Sequence, residues 1–422
     1  MFKNLTDEVN EDIELAKKAK KDLKMLNILE TRKSGSIEDV EDTTILTQDD
    51  IKQNIPLIAA EKGFSIDLKN GPFFVNYLKN GRHLLLHNKM GYLASFDVKT
   101  LNLNFERNIH DKIHDAIFLH NELFCATAQK NNVFIYNQDG VEVHCCRENR
   151  KAFKLEFLPY HFLLVSLSSE KFLRYQDTST GQIIANIFTK ENNLCMTQNK
   201  KDALVYLGND KGLVSLWSPN SKEYLCKIFC AKGTINSIEV EKNGLYFITS
   251  STDKSLNIFD IRNSFKPINS IKTNFSIKNM NLSDNQCLGL NFGKKILIYK
   301  NIFTNPEKYL THFQNSFIND MKFCSYEDIL TLGTNEGINN LIIPGSGNPI
   351  FDSYEDTPFY TKKQRSEMEV KRLLEKIPYT FIGQKDLFKS TKKVIQNTKG
   401  EFKRYFEQTD KTPLERIFPR EE

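Results

Sequence analysis

Seven times along this chain an apolar run gives way to a short polar turn, then to alternating positions that end on a large apolar side chain. The turn-and-strand cores run from Met90-Gly91-Tyr92 to Phe96-Asp97, from Lys130-Asn131-Asn132 to Tyr136-Asn137, and from Ser169-Glu170-Lys171 to Tyr175-Gln176. They continue from Asp210-Lys211-Gly212 to Trp217-Ser218, from Asp253-Lys254-Ser255 to Phe259-Asp260, from Lys294-Lys295 to Tyr299-Lys300, and from Asn335-Glu336-Gly337 to about Ile342. The closing residues Phe96, Tyr136, Tyr175, Trp217, Phe259, Tyr299 and Ile342 are separated by 40, 39, 42, 42, 40 and about 43 residues, on or beside the roughly 40–45-residue period of WD repeats.

A four-stranded sheet of about 40 residues cannot bury both of its faces alone, so consecutive sheets must stack and share a core. The fold expected is therefore all-β, a seven-bladed WD40-type β-propeller over residues 63–344. Positions alternate within strands, as in Phe134 and Tyr136 or Leu256 and Ile258, so each strand is expected to send one face inward. Most units lack Trp-Asp and Gly-His signatures, and the period carries the assignment. Strands Phe73–Tyr77 and His83–His87 precede the first closing residue. The segment Gly63-Phe64-Ser65-Ile66-Asp67-Leu68 is then expected to supply the outer strand of the last blade and close the ring.

The flanks read differently. Residues 1–62 carry 10 Lys/Arg against 14 Asp/Glu, an acidic arm. Ala16, Ala19, Leu23, Leu26 and Leu29 recur at helical spacing, predicting a helix over about 10–32. An acidic link, Glu38 to Asp42, leads to a second short helix that starts at Thr47, with Asp50 as its capping partner, and stops before Pro56. Residues 345–422 form a C-terminal arm. There Thr361-Lys362-Lys363-Gln364 is a capping box for a helix over about 361–377. Val370, Leu373, Leu374 and Ile377 make its apolar stripe, with Lys362, Lys363, Arg365 and Glu369 opposite and Pro378 at its end. Residues 384–404 hold seven basic and two acidic residues, among them Lys392, Lys393, Lys403 and Arg404, with Phe388, Phe402, Tyr405 and Phe406 interleaved. Such a mixture suits RNA, by phosphate neutralisation and base stacking. It also suits a solvated tail, and the rings suit docking in a protein groove or on the propeller better than stacking on bases.

Composition narrows the class. At 422 residues with 40% hydrophobic content, one large domain with arms is expected. No apolar run approaches the roughly 18 residues of a membrane span, and Met1 to Lys21 has no secretory apolar segment. Eight cysteines without framework spacing suggest a reducing compartment. A net charge of +5 permits nucleic-acid contact without demanding it.

Chemistry-bearing motifs are sparse. Cys226/Cys230, His144-Cys145-Cys146, His83/His87 and His110/His114 do not have zinc spacings. Pro344-Gly345-Ser346-Gly347 lacks the Gly-Lys-Ser/Thr of a phosphate loop and reads locally as a flexible exit from the last strand. No Gly-x-Ser-x-Gly occurs. A non-catalytic protein without cofactor, metal or small-molecule substrate is expected.

One resemblance sharpens this. The tail Ile343-Pro344-Gly345-Ser346-Gly347-Asn348-Pro349-Ile350-Phe351-Asp352-Ser353, then Pro358-Phe359-Tyr360-Thr361-Lys362-Lys363-Gln364-Arg365 and Glu367-Met368-Glu369-Val370, resembles the C-terminal signature of the BING-four ("U three protein seven") family of nucleolar WD-repeat proteins. Gly71-Pro72-Phe73, Asn80-Gly81-Arg82-His83-Leu84-Leu85, the stretch Leu155 to Leu164, Gly212 to Asn220, and Thr47 to Ile51 resemble it too. The likeness covers roughly residues 10–380.

The resemblance implies a scaffold of the small-subunit processome in the nucleolus, needed for pre-rRNA processing without being the nuclease. Its implied partners are other processome proteins (WD-repeat subunits and helicases), with pre-rRNA and U-three snoRNA met directly or indirectly, and no membrane. Carried over by position, partner or RNA contacts would fall on Pro344, Gly345, Gly347, Phe351, Asp352, Ser353, Phe359, Thr361, Lys362, Lys363, Gln364 and Arg365. The glycines would bend the chain off the last blade, Phe351 and Phe359 would anchor it in apolar pockets, and Lys362, Lys363 and Arg365 would meet phosphate or an acidic partner. Family members are expected to have longer basic ends than this chain, whose residues 345–422 hold 16 basic and 13 acidic residues. The other reading the propeller allows is a general WD-repeat scaffold in another nuclear complex.

Overall fold

A computed structural model describes residues 9–20, 37, 42–263, 266–350 and 357–383. Seven four-stranded antiparallel sheets form a closed β-propeller. Blades 1 to 6 span residues 73–108, 113–146, 152–188, 193–229, 235–272 and 279–313, and blade 7 combines residues 318–342 with the early strand Ser65–Asp67. Each blade runs from an inner strand a to an outer strand d, and the a strands of successive blades are neighbours around the axis.

Every closing residue of the repeat sits in strand c of its blade and is buried, including Tyr175, Trp217 and Phe259. This is why the period was legible: one large side chain per blade fills the wedge between sheets. The expected one-sided alternation fails most clearly in the second strands. In the second strands His83–Asn88, Leu163–Ser168 and Ile329–Thr334 every residue is buried, because both faces of each sheet meet a neighbouring blade.

The ring closes as the early segment suggested. Ser65, Ile66 and Asp67 pair antiparallel with Asn339, Ile338 and Gly337. Gly337, at φ +149°, is packed so closely that a Cβ would lie 1.9 Å from the Ile66 carbonyl oxygen, so the seam excludes side chains there.

The N-terminal arm begins with a helix α1 over residues 9–20, all exposed; the rest of the expected 10–32 helix and the acidic stretch 38–41 lie outside the described residues. Helix α2 (Gln48–Gln53) has the Thr47–Asp50 capping box in place, and α3 (Leu57–Ala60) follows Pro56. The Gln48 amide imitates a strand: Nε2 donates to the Ile342 carbonyl at 3.2 Å and Oε1 accepts from the Ile342 N–H at 2.9 Å. Ile51 is buried beside it.

Candidate functional site: a strap across one face of the propeller

The chain leaves blade 7 through Pro344-Gly345-Ser346-Gly347, and these four residues are buried. The flexible exit expected from local sequence is instead a fixed seam. The Tyr309 hydroxyl donates to the Pro344 carbonyl at 2.9 Å, and the Ser283 hydroxyl donates to the Ser346 carbonyl. Asn285 Nδ2 donates to the Gly345 and Gly347 carbonyls at 3.3 and 2.5 Å. The Gly347 N–H donates to Asp328 Oδ1 at 2.7 Å, and the N–H groups of Gly345 and Ser346 also serve that carboxylate. Burial pushes the Asp328 carboxyl above its ordinary range, partly offset by these donors. Every partner comes from blade 6 or blade 7, and buried backbone groups satisfied in this way do not remain mobile.

Pro358 and Phe359 cross to blade 1. Arg82, paired with Asp97 at 2.7 Å, donates to the Pro358 carbonyl at 3.0 Å. Phe359 does not sink into an apolar pocket: its ring is 57% exposed, with the Lys99 ammonium 3.8 Å from its centroid. The hollow beside it holds about 150 Å³ and is lined by Val98, Cys324 and Pro358 as well as Arg82, Lys99 and Glu327, and the ring's quadrupole attracts the ammonium above its face. Phe351, Asp352 and Ser353 lie outside the described residues, as do Lys392, Lys393, Lys403 and Arg404.

Helix α4 (Lys362–Leu374) starts at the capping box, with Thr361 accepting from the Gln364 N–H and Gln364 returning the bond. It lies over blade 2 with its charged side inward. Arg365 Nη1 meets Glu122 Oε1 at 2.5 Å, Glu369 Oε1 meets His120 Nε2 at 3.0 Å, and Arg372 Nη1 donates to the His120 carbonyl at 2.9 Å. Glu122 is buried, so its pair with Arg365 is poorly screened. The apolar stripe points away: Val370, Leu373 and Leu374 are exposed, Leu374 by 82%. Ordinary amphipathic packing is inverted here, because the propeller surface under α4 offers a carboxylate and an imidazole. A cleft of about 690 Å³ remains between α4 and the turns of blades 1 to 3, with Leu78, Leu119, Tyr160, Tyr360 and Met368 in its walls.

The strap then reaches blades 3 and 4. Lys376 pairs with Asp177 and donates to the Ser179 hydroxyl at 2.7 Å. Burial raises the Asp177 carboxyl, but Lys376 and Ser179 outweigh it and the net displacement is downward. The Ile377 N–H donates to the Tyr160 carbonyl at 3.0 Å, and His161 Nδ1 reaches the Ile377 carbonyl at 2.9 Å. Ile382 is buried among Trp217, Tyr175 and Leu173. Its carbonyl accepts from Ser218 Oγ at 2.7 Å and from Asn220 Nδ2 at 2.6 Å.

Three propeller segments that carried the family resemblance are therefore the docks of the strap: Arg82, Tyr160-His161 and Ser218 to Asn220. Of the expected contact residues, Pro344, Gly345 and Gly347 are committed to the seam, Thr361 and Gln364 to the helix cap, and Arg365 to Glu122. Lys362 and Lys363 remain exposed, with Lys363 only 3.8 Å from Glu367 along the helix. Sequence reading missed His120, Glu122 and Asp177, whose partners on the strap stand 249, 243 and 199 residues away, and Asp328, which meets Gly347 19 residues on.

The axial channel holds a second set of charges. Lys154 lies 3.6 Å from Asp115, Lys322 lies 3.8 Å from Glu239, and Gln198 donates to Glu156 at 3.0 Å. Burial among these groups pushes the Glu156 carboxyl up to about 7. Among the described residues no His/Cys/Asp/Glu group is arranged to hold a metal.

Residues 308–385 match the BING4CT (NUC141) domain, a span that begins in the outer strand of blade 6 and takes in blade 7, the seam and the strap. The chain is 37% identical to human WD repeat-containing protein 46 over 352 residues, covering 82% of this chain and 58% of that protein. It is also 37% identical to U3 small nucleolar RNA-associated protein 7 of Saccharomyces cerevisiae over 361 residues, 81% of this chain and 65% of that protein. The chain belongs to the BING4 family. It spans about three fifths of the length of the curated relatives it matches. The β-propeller domain of Cps50 (Swd1) from Myceliophteria thermophila superposes with a TM-score of 0.58 at 12% identity, covering 66% of this chain and 98% of that one. That likeness shows the fold of the disc, whereas the relatives at 37% identity match this chain through most of the propeller as well as the strap.

Proposed function

We propose that this chain is a non-catalytic scaffold of the nucleolar particle that builds the small ribosomal subunit, the small-subunit processome containing U3 snoRNA. The observation that carries the reading is the strap: the segment matched by the family domain is the one that laces blades 7, 1, 2, 3 and 4 together. A disc stiffened in this way holds its outer surfaces in fixed relation, which is what a scaffold needs to keep separate partners in register. Several modest contacts on one rigid body raise effective concentration, so firm assembly does not need a single deep site. A relative carries U3 small nucleolar RNA association in its name, which supports placing this chain in the nucleolus, with pre-rRNA and U3 snoRNA as direct or indirect partners.

Within this reading the exposed Lys362 and Lys363 face a partner's phosphate or carboxylates, while Arg365 acts through Glu122 to position them. The test is depletion of the protein in cells followed by analysis of ribosomal RNA precursors. Accumulation of unprocessed precursors with loss of mature small-subunit RNA, rescued by the intact chain, is expected. Normal levels of small-subunit RNA after depletion would refute it.

A further inference from the structure

The two faces of the disc differ. The strap lies on the face made by the a–b and c–d turns, where several cations are paired with carboxylates: Lys62 with Glu327, Lys242 with Asp284, Lys376 with Asp177 and Arg365 with Glu122. The opposite face, made by the b–c turns and the links between blades, is not covered by the strap. On blades 5 to 7 it presents three exposed phenylalanines, Phe275 (66%), Phe313 (69%) and Phe317 (47%).

Lysines surround these rings. Lys278 and Lys294 stand 4.8 and 5.3 Å from the Phe317 centroid, and Lys295 stands 5.1 Å from that of Phe313. Among the described residues none of the three has a carboxylate partner. Gly293 carries no side chain where Phe317 lies: a Cβ there would sit 3.3 Å from the ring. The ring thus rests against backbone at the mouth of the turn. Phe317 is fixed from below, since its carbonyl accepts from the Asn335 N–H at 3.0 Å.

We propose that this uncovered face, centred on Phe317 between blades 6 and 7, binds single-stranded RNA. Flat rings held outward are stacking platforms for bases, and uncompensated lysines beside them receive phosphates; this pairing of features is how single strands are held without sequence readout. In sequence the three rings are flanked by polar residues, Asn274 and Ser276 about Phe275 and Gln314, Asn315 and Ser316 between Phe313 and Phe317, a pattern that suits separate bases better than a protein's continuous apolar surface. The proposal rests on the chain working within an RNA particle, but it locates the contact on the face away from the strap.

The test is fluorescence anisotropy of a labelled single-stranded RNA oligonucleotide with the full chain, titrated at several salt concentrations. Lys278→Glu/Lys294→Glu/Lys295→Glu is expected to weaken binding at least tenfold and to flatten its salt dependence. Phe317→Ala is expected to weaken it roughly 5- to 150-fold with the salt dependence unchanged. Lys200→Glu/Lys201→Glu/Lys222→Glu, the same charge change on the strap face, is expected to bind nearly as the parent does. Equal loss in both triple variants, or none in either, would overturn the proposal. So would displacement of the RNA by poly-glutamate at equal charge with Phe317→Ala silent, an outcome that would mark an acidic-protein surface. Association of the same variants with nucleolar particles in cells is read separately: a chain absent from those particles refutes the scaffold function whatever it binds in solution.

Discussion

The backbone N–H of Gly347 donates to the Asp328 carboxylate at 2.7 Å, tying the chain that leaves blade 7 to the a–b turn of the same blade. A Cβ on Gly347 would lie 2.5–2.8 Å from backbone atoms of Glu327, so an added methyl must push the seam off its acceptor. Gly347→Ala is expected to lower stability by on the order of 2 kcal/mol, seen as a fall in the urea midpoint. An unchanged midpoint would mean the seam is looser than its hydrogen bonds imply.

Arg365 holds α4 to a buried carboxylate, and Leu374 faces solvent. Arg365→Ala is expected to leave Glu122 unpaired and cost about 1–3 kcal/mol of strap docking, while the propeller itself stays folded. Hydrogen exchange should report it as faster exchange confined to residues 362–374. Leu374→Ser, by contrast, should change stability by less than about 0.5 kcal/mol. The reverse ranking would mean that α4 docks by its apolar stripe.

Glu156 supplies a pH test. Its carboxyl is raised to about 7 by burial, so between the ordinary carboxylate range and about 7 the folded state holds a proton that the unfolded chain has released. Stability from this group is fully present below the unfolded pKa and is lost as pH rises through about 7. Glu156→Gln is expected to be more stable than the parent at pH 8, by on the order of 1–3 kcal/mol, with the difference vanishing near pH 4. Parallel stability curves across that range would contradict the shift.

What could be read from the chain follows the range of the interactions. Tyr175, Trp217 and Phe259 each fill one wedge, so the blade period was visible in single residues. The Thr47–Asp50 and Thr361–Gln364 caps involve residues three apart and were equally visible. The orientation of α4 was not, because it is decided by His120 and Glu122, more than 240 positions away. The seam was misread because local sequence offers Pro344 to Gly347 little beyond the Ser346 N–H bond to Ile343, and its other donors and acceptors come from Asp328, Tyr309, Asn285 and Ser283, between 19 and 63 positions away. Lysines around Phe317 are scattered in sequence and meet only when blades 6 and 7 stack.

The central claim is that this chain works as a scaffold inside a nucleolar RNA particle. Its most direct test is ultraviolet crosslinking of the tagged protein in cells, followed by sequencing of attached RNA and identification of co-purifying proteins. Reads concentrated on pre-ribosomal RNA or U3 snoRNA, with small-subunit assembly proteins alongside, are the expected result. Absence of both the RNA and those proteins would contradict the account.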